Sequence, residues 1–186
     1  TTIFFAQRAL KKDTGVDDPA VKPREVKQVG LLGAGVMGGG IAYVTTAIAR
    51  LPVRIKEKDD AGLGRGLGYV RNILDTRARR RSITRLERDE QMARVTGSTE
   101  YKGLRTCDVV VEAVFEDLEI KHRVIRELEA AVKPECVVAS NTSTLPISSI
   151  AEASVRPENV VGMHYFSPVE KMPLLSTCSC CVNKCE

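Results

Sequence analysis

With 186 residues the chain is long enough for one domain with a substantial core. A hydrophobic fraction of 43% with 28% charged residues excludes disordered and fibrous classes. No apolar run approaches the ~20 residues that cross a bilayer, and a net charge of +4 with 4% aromatics offers no array of rings for stacking nucleic-acid bases.

Residues 1–25 read as a helix, FFAQRALKKD, followed by a linker rich in Pro, Gly and Asp. The apolar stretch of TTIFFAQRALKKD is too short for a secretory leader, and its charges follow that stretch rather than precede it. Beyond residue 25, short β-branched runs alternate with helical patterns. Strands are expected at 26–32, 52–56, 108–113, 136–139 and 159–163, and helices at 35–50, 61–80, 85–95, 118–132 and 147–152. Such alternation implies βαβ units: a Rossmann-type, doubly wound α/β fold with a mostly parallel sheet. The run RNILDTRARRRSITRLERDE alternates arginines with acids and reads as a solvated helix face, with a patch for a phosphorylated substrate as its functional alternative. Of six cysteines, Cys107 and Cys136 sit alone in apolar runs as reduced core residues, while Cys178, Cys180, Cys181 and Cys185 crowd the end of the chain.

The stretch VKQVGLLGAGVMGGGIAYV carries Gly33, Gly35 and Gly38 at G-x-G-x-x-G spacing between a strand and a helix. Gly33 permits a tight turn, Gly35 leaves room for a pyrophosphate at the helix N-terminus, and Gly38 lets the helix lie close to the strand. A dinucleotide site also needs an acid at the end of the second strand. Glu57 lies 24 residues beyond Gly33, with Asp59 as the neighbouring alternative. A carboxylate there accepts from ribose hydroxyls and repels a 2′-phosphate, which favours NAD over NADP; Arg54, Lys56 and Lys58 nearby soften that preference. Three further stretches, DVVVEAVFEDLEIK, VVASNTSTLPISSI and VVGMHYFSP, are strands whose C-terminal ends would open onto the same crevice. They bring Asn141, Ser143 and His164 to adjacent strand ends, facing the nicotinamide.

The stretches GAGVMGGGIAYVT, PVRIK, VVEAVFEDLEIKHRV, ASNTSTLPIS and RPENVVGMHYFSPVEKMPL, in one order over 26–175, resemble the NAD-binding domain of L-3-hydroxyacyl-CoA dehydrogenases. The likeness extends to the α subunits of multifunctional fatty-acid-oxidation complexes, the bacterial anaerobic type in particular, and 1–25 resembles their linker after the hydratase domain. The resemblance implies NAD as cofactor and an acyl-CoA substrate in β-oxidation. It implies that Gly33, Ala34, Gly35, Val36, Met37 and Gly38 cradle the pyrophosphate and Glu57 the ribose. Val114, Phe115, Glu116 and Lys121 would line the nicotinamide half. Ser143 would bond the substrate's 3-oxygen, His164 would be the general base and Asn141 a supporting group. Ser167 stands where many relatives place an asparagine that contacts NAD. A thiolase β subunit and an oligomeric parent are further implications, with a cytoplasmic location in a bacterium, or a mitochondrial or peroxisomal one in a eukaryote.

The chain departs from the family at its end. Relatives carry a glutamate twelve residues beyond the histidine, which orients the imidazole; here that position is Ser176. Residues 176–186 match nothing in the family and are expected to be an atypical Cys-rich tail, disordered or non-native, with a soft-metal thiolate cluster as an alternative. The family's helical, substrate-closing domain is absent from these residues, which implies impaired turnover. Two rival readings follow. One is an NAD-binding module without catalysis; the other is a dehydrogenase of small hydroxy acids, for which no arginine clamp is evident.

Overall fold

A computed structural model describes residue 20, residues 22–172 and residues 174–179. The helix expected within 1–25 falls outside the described residues, as do Cys180, Cys181, Cys185 and with them the thiolate-cluster alternative. Strand β1 (Val29–Leu32) leads through the glycine turn into helix α1 (Val36–Ala47), and β2 (Val53–Lys56) into α2 (Asp60–Arg79). Helix α3 (Arg85–Ala93), β3 (Val95–Ser98) and a 3₁₀ turn (Tyr101–Leu104) precede β4 (Val109–Glu112). Then follow α4 (Leu118–Glu129), β5 (Val137–Ser140), α5 (Ile147–Ala151), a second 3₁₀ turn (Pro157–Asn159), β6 (Val160–Tyr165) and β7 (Leu175–Ser179).

The strands form one seven-stranded sheet in the order β3-β2-β1-β4-β5-β6-β7. All pairs are parallel except β6 with β7. The order reverses at β1, whose Leu31 pairs with Ile55 on one side and Val111 on the other. That reversal opens a crevice beyond the C-terminal ends of β1 and β4, the place where such sheets receive ligands. The doubly wound α/β expectation is met.

Why the strands read as continuous apolar runs follows from their burial on both faces. Leu31, Ile55, Val111 and Ala139 meet Ile41 and Tyr43 of α1 and Val70 and Leu74 of α2. Leu32, Val110 and Val138 point the other way, onto Ile125 and Leu128 of α4 and Ile150 of α5. Each such buried aliphatic side chain contributes about 1.5–3 kcal/mol. Cys107 and Cys136 are free and buried in the second layer, and burial raises their thiols to about 12 and about 11. Inert core thiols are what the sequence implied.

Side-chain caps set the helix starts. Asp59 accepts from the Gly62 N–H at 2.6 Å, Asp117 from the Ile120 N–H at 2.9 Å, and Thr84 and Glu87 form a reciprocal capping box. The arginine-rich stretch behaves as a solvated surface: α3 buries no residue, and Arg88 pairs with Asp75 and Asp89 at 3.1 and 2.7 Å. Arg79, Arg80 and Arg81 lie at the far end of α2. Twenty residues at a 1.5 Å rise place them about 30 Å from its Asp59 cap.

Several expectations are corrected. The helix expected over 85–95 stops at Ala93, because Val95 starts a strand that pairs with Val53 and buries it to 7% exposure. The sheet does not end at residue 175. Residues 176–179 belong to β7, which gains its ladder of hydrogen bonds from β6 despite a polar sequence. Strand β1 begins at Val29 rather than 26, and β6 continues through His164 to Tyr165.

Helix α2 offers a direct test of its packing. A Cβ at Gly66 would stand 2.3 Å from the Ala34 Cβ and 2.7 Å from the Ala34 carbonyl oxygen, whereas one at Gly68 would meet nothing within 4 Å. Gly66→Ala should therefore lose on the order of 1–3 kcal/mol in urea unfolding. Gly68→Ala should gain roughly 0.5–1 kcal/mol from helix propensity. Shifts of the same sign would refute the close seating of α2 on the turn.

Candidate cofactor and catalytic site

The glycine turn is shaped by three different exclusions. Gly33 has φ +89, and a Cβ there would stand 2.6 Å from the Ala113 carbonyl oxygen, so the turn and the end of β4 touch backbone to backbone. At Gly38 a Cβ would lie 2.0 Å from the Gly33 oxygen. Gly35, the residue preceding α1, has nothing within 4 Å of a built Cβ and faces a cavity of about 510 Å³. The first and third glycines thus serve the fold, and the second leaves space for a ligand.

The cavity runs from Gly33 and Gly35 past Glu57 and on to Tyr101, with Val114 and Phe115 along one wall. Its volume suits a drug-sized ligand or part of a dinucleotide. Glu57 accepts from the Ala34 N–H through Oε2 and from the Lys58 N–H through Oε1, both at 2.7 Å. These bonds pin the carboxylate beside the turn and leave lone pairs for ribose hydroxyls. Asp59 is the cap of α2 and is not among the cavity's lining residues, so of the two candidate acids only Glu57 stands in place. Ala34 is buried under α2, Met37 is half-buried, and Val36 is exposed at the first turn of α1. That N-terminus, with its free backbone N–H groups and the positive end of the helix dipole, is suited to an anion.

Beyond the cavity, β4 ends in a buried charge network. Glu112 and Lys121 are 0% and 1% exposed. The Lys121 ammonium donates to Glu112 Oε1 and Oε2 at 2.8 and 2.9 Å and pairs with Glu116 Oε2 at 3.2 Å. Glu112 also accepts from the Ser140 hydroxyl at 2.7 Å and the Val114 N–H at 2.8 Å. Lys121 is not among this cavity's lining residues, and its ammonium is engaged by Glu112 and Glu116.

Glu116 in turn organises the loop after β5. Its Oε1 accepts from the Thr142 hydroxyl, from the Ser143 N–H at 3.2 Å and from the Thr144 hydroxyl at 3.1 Å. Burial would raise its carboxyl, but the Thr142 hydroxyl and the Lys121 ammonium outweigh that and hold it at about 2. A carboxylate lowered in the folded state stabilises it fully above the unfolded value of ~4.3, and that contribution is lost as pH falls toward 2. The loop is thus held throughout the neutral range.

Asn141 joins the ends of β5 and β6: its Oδ1 accepts from the Tyr165 N–H at 2.9 Å, next to His164. The His164 ring packs against Phe166 at 4.5 Å between centroids. Among the described residues, neither the Ser143 hydroxyl nor the His164 imidazole is hydrogen-bonded to another side chain. Across the antiparallel pair, His164 stands opposite Ser176, and residues so paired project from the same face of a sheet. Ser167, exposed, follows β6 directly. The cavity lining therefore gathers Gly33, Gly35, Glu57, Val114 and Phe115, while Asn141, Ser143, His164, Glu116 and Ser167 stand outside it.

Comparison with known proteins bears on this arrangement. Residues 28–179 match the family model of the 3-hydroxyacyl-CoA dehydrogenase NAD-binding domain. The chain belongs to this family. This NAD-binding domain is 53% identical over 174 residues to the fatty acid oxidation complex subunit alpha of Shewanella amazonensis, and 52% identical to that of Shewanella baltica. The alignment covers 94% of the chain and 24% of either relative, so the chain spans about a quarter of their length. Among solved structures it resembles the (S)-3-hydroxybutyryl-CoA dehydrogenase of Ralstonia eutropha, with a TM-score of 0.79 and 33% identity over 82% of this chain and 54% of that one. The 3-hydroxybutyryl-CoA dehydrogenase of Escherichia coli K12 also scores 0.79, at 29% identity over 83% of this chain and 32% of that one. NAD is thus the cofactor of the family, and the open face at Gly35 beside Glu57 fits it.

Sequence reading missed the residues that shape the outer cavity, Tyr101, Ile120, Arg123, Val124 and Glu127, and the partner of Lys121. One signal was available for the last: Glu112 is a charge at the end of a buried apolar strand, which demands a counter-ion. The three glycine roles separate by experiment. Gly35→Val should fold with a nearly unchanged melting temperature yet bind NADH at least ~10-fold more weakly, a change of about 1.4 kcal/mol. Gly38→Ala should fail by unfolding instead. Undiminished NADH binding by Gly35→Val, read by fluorescence titration, would remove this turn from the cofactor site.

Proposed function

We propose that the chain is the NAD-binding part of an enzyme that oxidises L-3-hydroxyacyl-CoA to 3-ketoacyl-CoA in fatty-acid β-oxidation. The observation that carries this reading is the meeting of His164, Asn141 and the Glu116-held Ser143 loop at the ends of the adjacent strands β5 and β6, on the same edge of the sheet as the glycine turn and Glu57. Gly33 to Gly38 and Glu57 would hold the cofactor, which supplies the hydride acceptor. Ser143 would donate a hydrogen bond to the substrate's 3-oxygen. His164 would take the hydroxyl proton as hydride leaves C3, and return it in the reverse direction. An imidazole suits this because its ordinary pKa of about 6.5 lies near neutrality.

The relatives' name, fatty acid oxidation complex subunit alpha, supports assembly of the parent protein with another subunit. We assign that role to a thiolase β subunit, within an oligomeric parent. Bacterial relatives support a cytoplasmic location, and no helix among the described residues is long and apolar enough to cross a membrane.

A second reading, cofactor binding with little catalysis, is favoured by one observation. Ser176 stands opposite His164 in the β6–β7 register, where the family resemblance implies a glutamate. A hydroxyl cannot supply the negative charge that a carboxylate would place opposite an imidazolium.

Two measurements test these readings. Glu57 should make the chain bind NADH at least ~10-fold more tightly than NADPH, since a carboxylate holding the ribose would repel a 2′-phosphate; equal affinities would overturn this role. Turnover of acetoacetyl-CoA with NADH should run at least ~10²-fold below that of a full-length Shewanella relative, given the worth of general acid–base catalysis. A rate within a few-fold of the relative would show that Ser176 does not impair His164.

A further inference from the structure

The three consecutive glycines at the start of α1 each receive a different neighbour. Gly38 lies against the Gly33 carbonyl. Gly39 lies under the Tyr69 ring, where a Cβ would stand 2.7 Å from Cδ1. Gly40 lies under Val169, where a Cβ would stand 2.8 Å from the valine Cβ and 3.0 Å from its Cγ2. The last two differ in kind. A tyrosine ring can tilt away, whereas the Cβ of a stiff, branched side chain moves only with its backbone. Val169 is 6% exposed and belongs to the same buried cluster as Ala34 and Ile41. It follows His164 by five residues and Ser167 by two.

This contact spans a gap in the sheet. Strands β1 and β6 are three steps apart in the strand order, about 14 Å at the usual spacing. The chain leaves β6 with the Tyr165 N–H on Asn141 Oδ1, then turns over as the Lys171 and Met172 N–H groups donate to the Pro168 carbonyl at 2.9 and 3.2 Å. Between those bonds Val169 comes down on α1, two residues beyond the glycine seated on the Gly33 carbonyl. We infer that Gly40 and Val169 form a positioning joint, which fixes the strand end bearing His164 relative to the glycine turn. The inference rests on the reading of His164 as the general base. An imidazole that takes a proton while hydride passes to the cofactor is sensitive to such spacing, since a misplacement of about 1 Å can cost ~10²-fold. A side chain at 40 would press on the Val169 backbone, and so on the segment that leads back to His164.

The test uses the full chain and the imidazole proton resonances of its 2 histidines. His164 lies 4.5 Å from the Phe166 ring, whose field makes its signals sensitive to the position of the segment. His122, bonded to the Ser149 carbonyl from α4, serves as the internal reference. Gly40→Ala should move the His164 signals and leave those of His122 in place. It should also lower kcat for acetoacetyl-CoA reduction by about 10- to 100-fold, with KM for NADH within about 3-fold. Adding Val169→Ala to that variant should return both the signals and kcat toward those of the unsubstituted chain. Gly39→Ala, which presses on Tyr69 instead, should leave His164 alone. Unmoved His164 signals in folded Gly40→Ala, equal movement in Gly39→Ala, no recovery with Val169→Ala, or a kcat within about twofold of the unsubstituted chain would each overturn the joint. Where Gly40→Ala does not fold, Val169→Ala alone carries the test by loosening the same contact, and unmoved His164 signals there would overturn it. Absence of acetoacetyl-CoA turnover by the unsubstituted chain would overturn the dehydrogenase reading, a separate result, because the resonances report the joint without it.

Discussion

Everything at the crevice depends on how closely backbone meets backbone at the Gly33–Gly38 turn. The turn touches the end of β4 at Ala113, the start of α1 lies against the Gly33 carbonyl, and α2 seats Gly66 on Ala34. Three elements thus converge on six residues, with only the Ala34 methyl group between the turn and α2. Interiors packed at crystal-like density transmit any added methyl group as a shift of whole elements. The N-terminus of α1 is therefore aimed by packing on three sides, and its orphan N–H groups reach the cavity in a fixed direction. The same closeness places Ala34 N–H on Glu57, so the acid that would hold a ribose is tied to the turn that would hold a pyrophosphate.

A second constraint is electrostatic. Burying Glu112 and Lys121 is costly, since ions lose their water and recover it only through close pairing and further hydrogen bonds. Here every requirement is met, by Ser140, Val114 N–H and the second carboxylate of Glu116. The arrangement stitches the end of β4 to the loop after β5 and holds Ser143 by its backbone. It also explains how Lys121 can be buried: its ammonium is held between two carboxylates.

The opposite edge of the sheet is set differently. Residues 175–178 of strand β7 are exposed, and the strand pairs antiparallel with β6. That pairing brings residue 176 to His164. His164 thus has Phe166 against its ring and Ser176 opposite it in the ladder. The glycine turn is thus set by packing, whereas the His164 end of the sheet is bordered by an edge strand.

How much of this was legible in the sequence divides along physical lines. Gly33, Gly35 and Gly38, the buried strands around VGLL, VRIK, VVVE and VVAS, and the capped helices were readable, because local conformational rules and apolar periodicity act within a few residues. The parallel, doubly wound fold followed from their alternation, and His164 and Ser143 from their places at strand ends. The strands VTGS and LSTCS were not readable. Neither has an apolar pattern, and each is a strand only because a neighbour's ladder receives it. The choice of Glu57 over Asp59 and the burial of Lys121 between Glu112 and Glu116 likewise came only from the tertiary structure. Local sequence determines which backbone shapes are allowed; which charges meet and which side chains face a cavity depends on contacts between residues far apart in the chain.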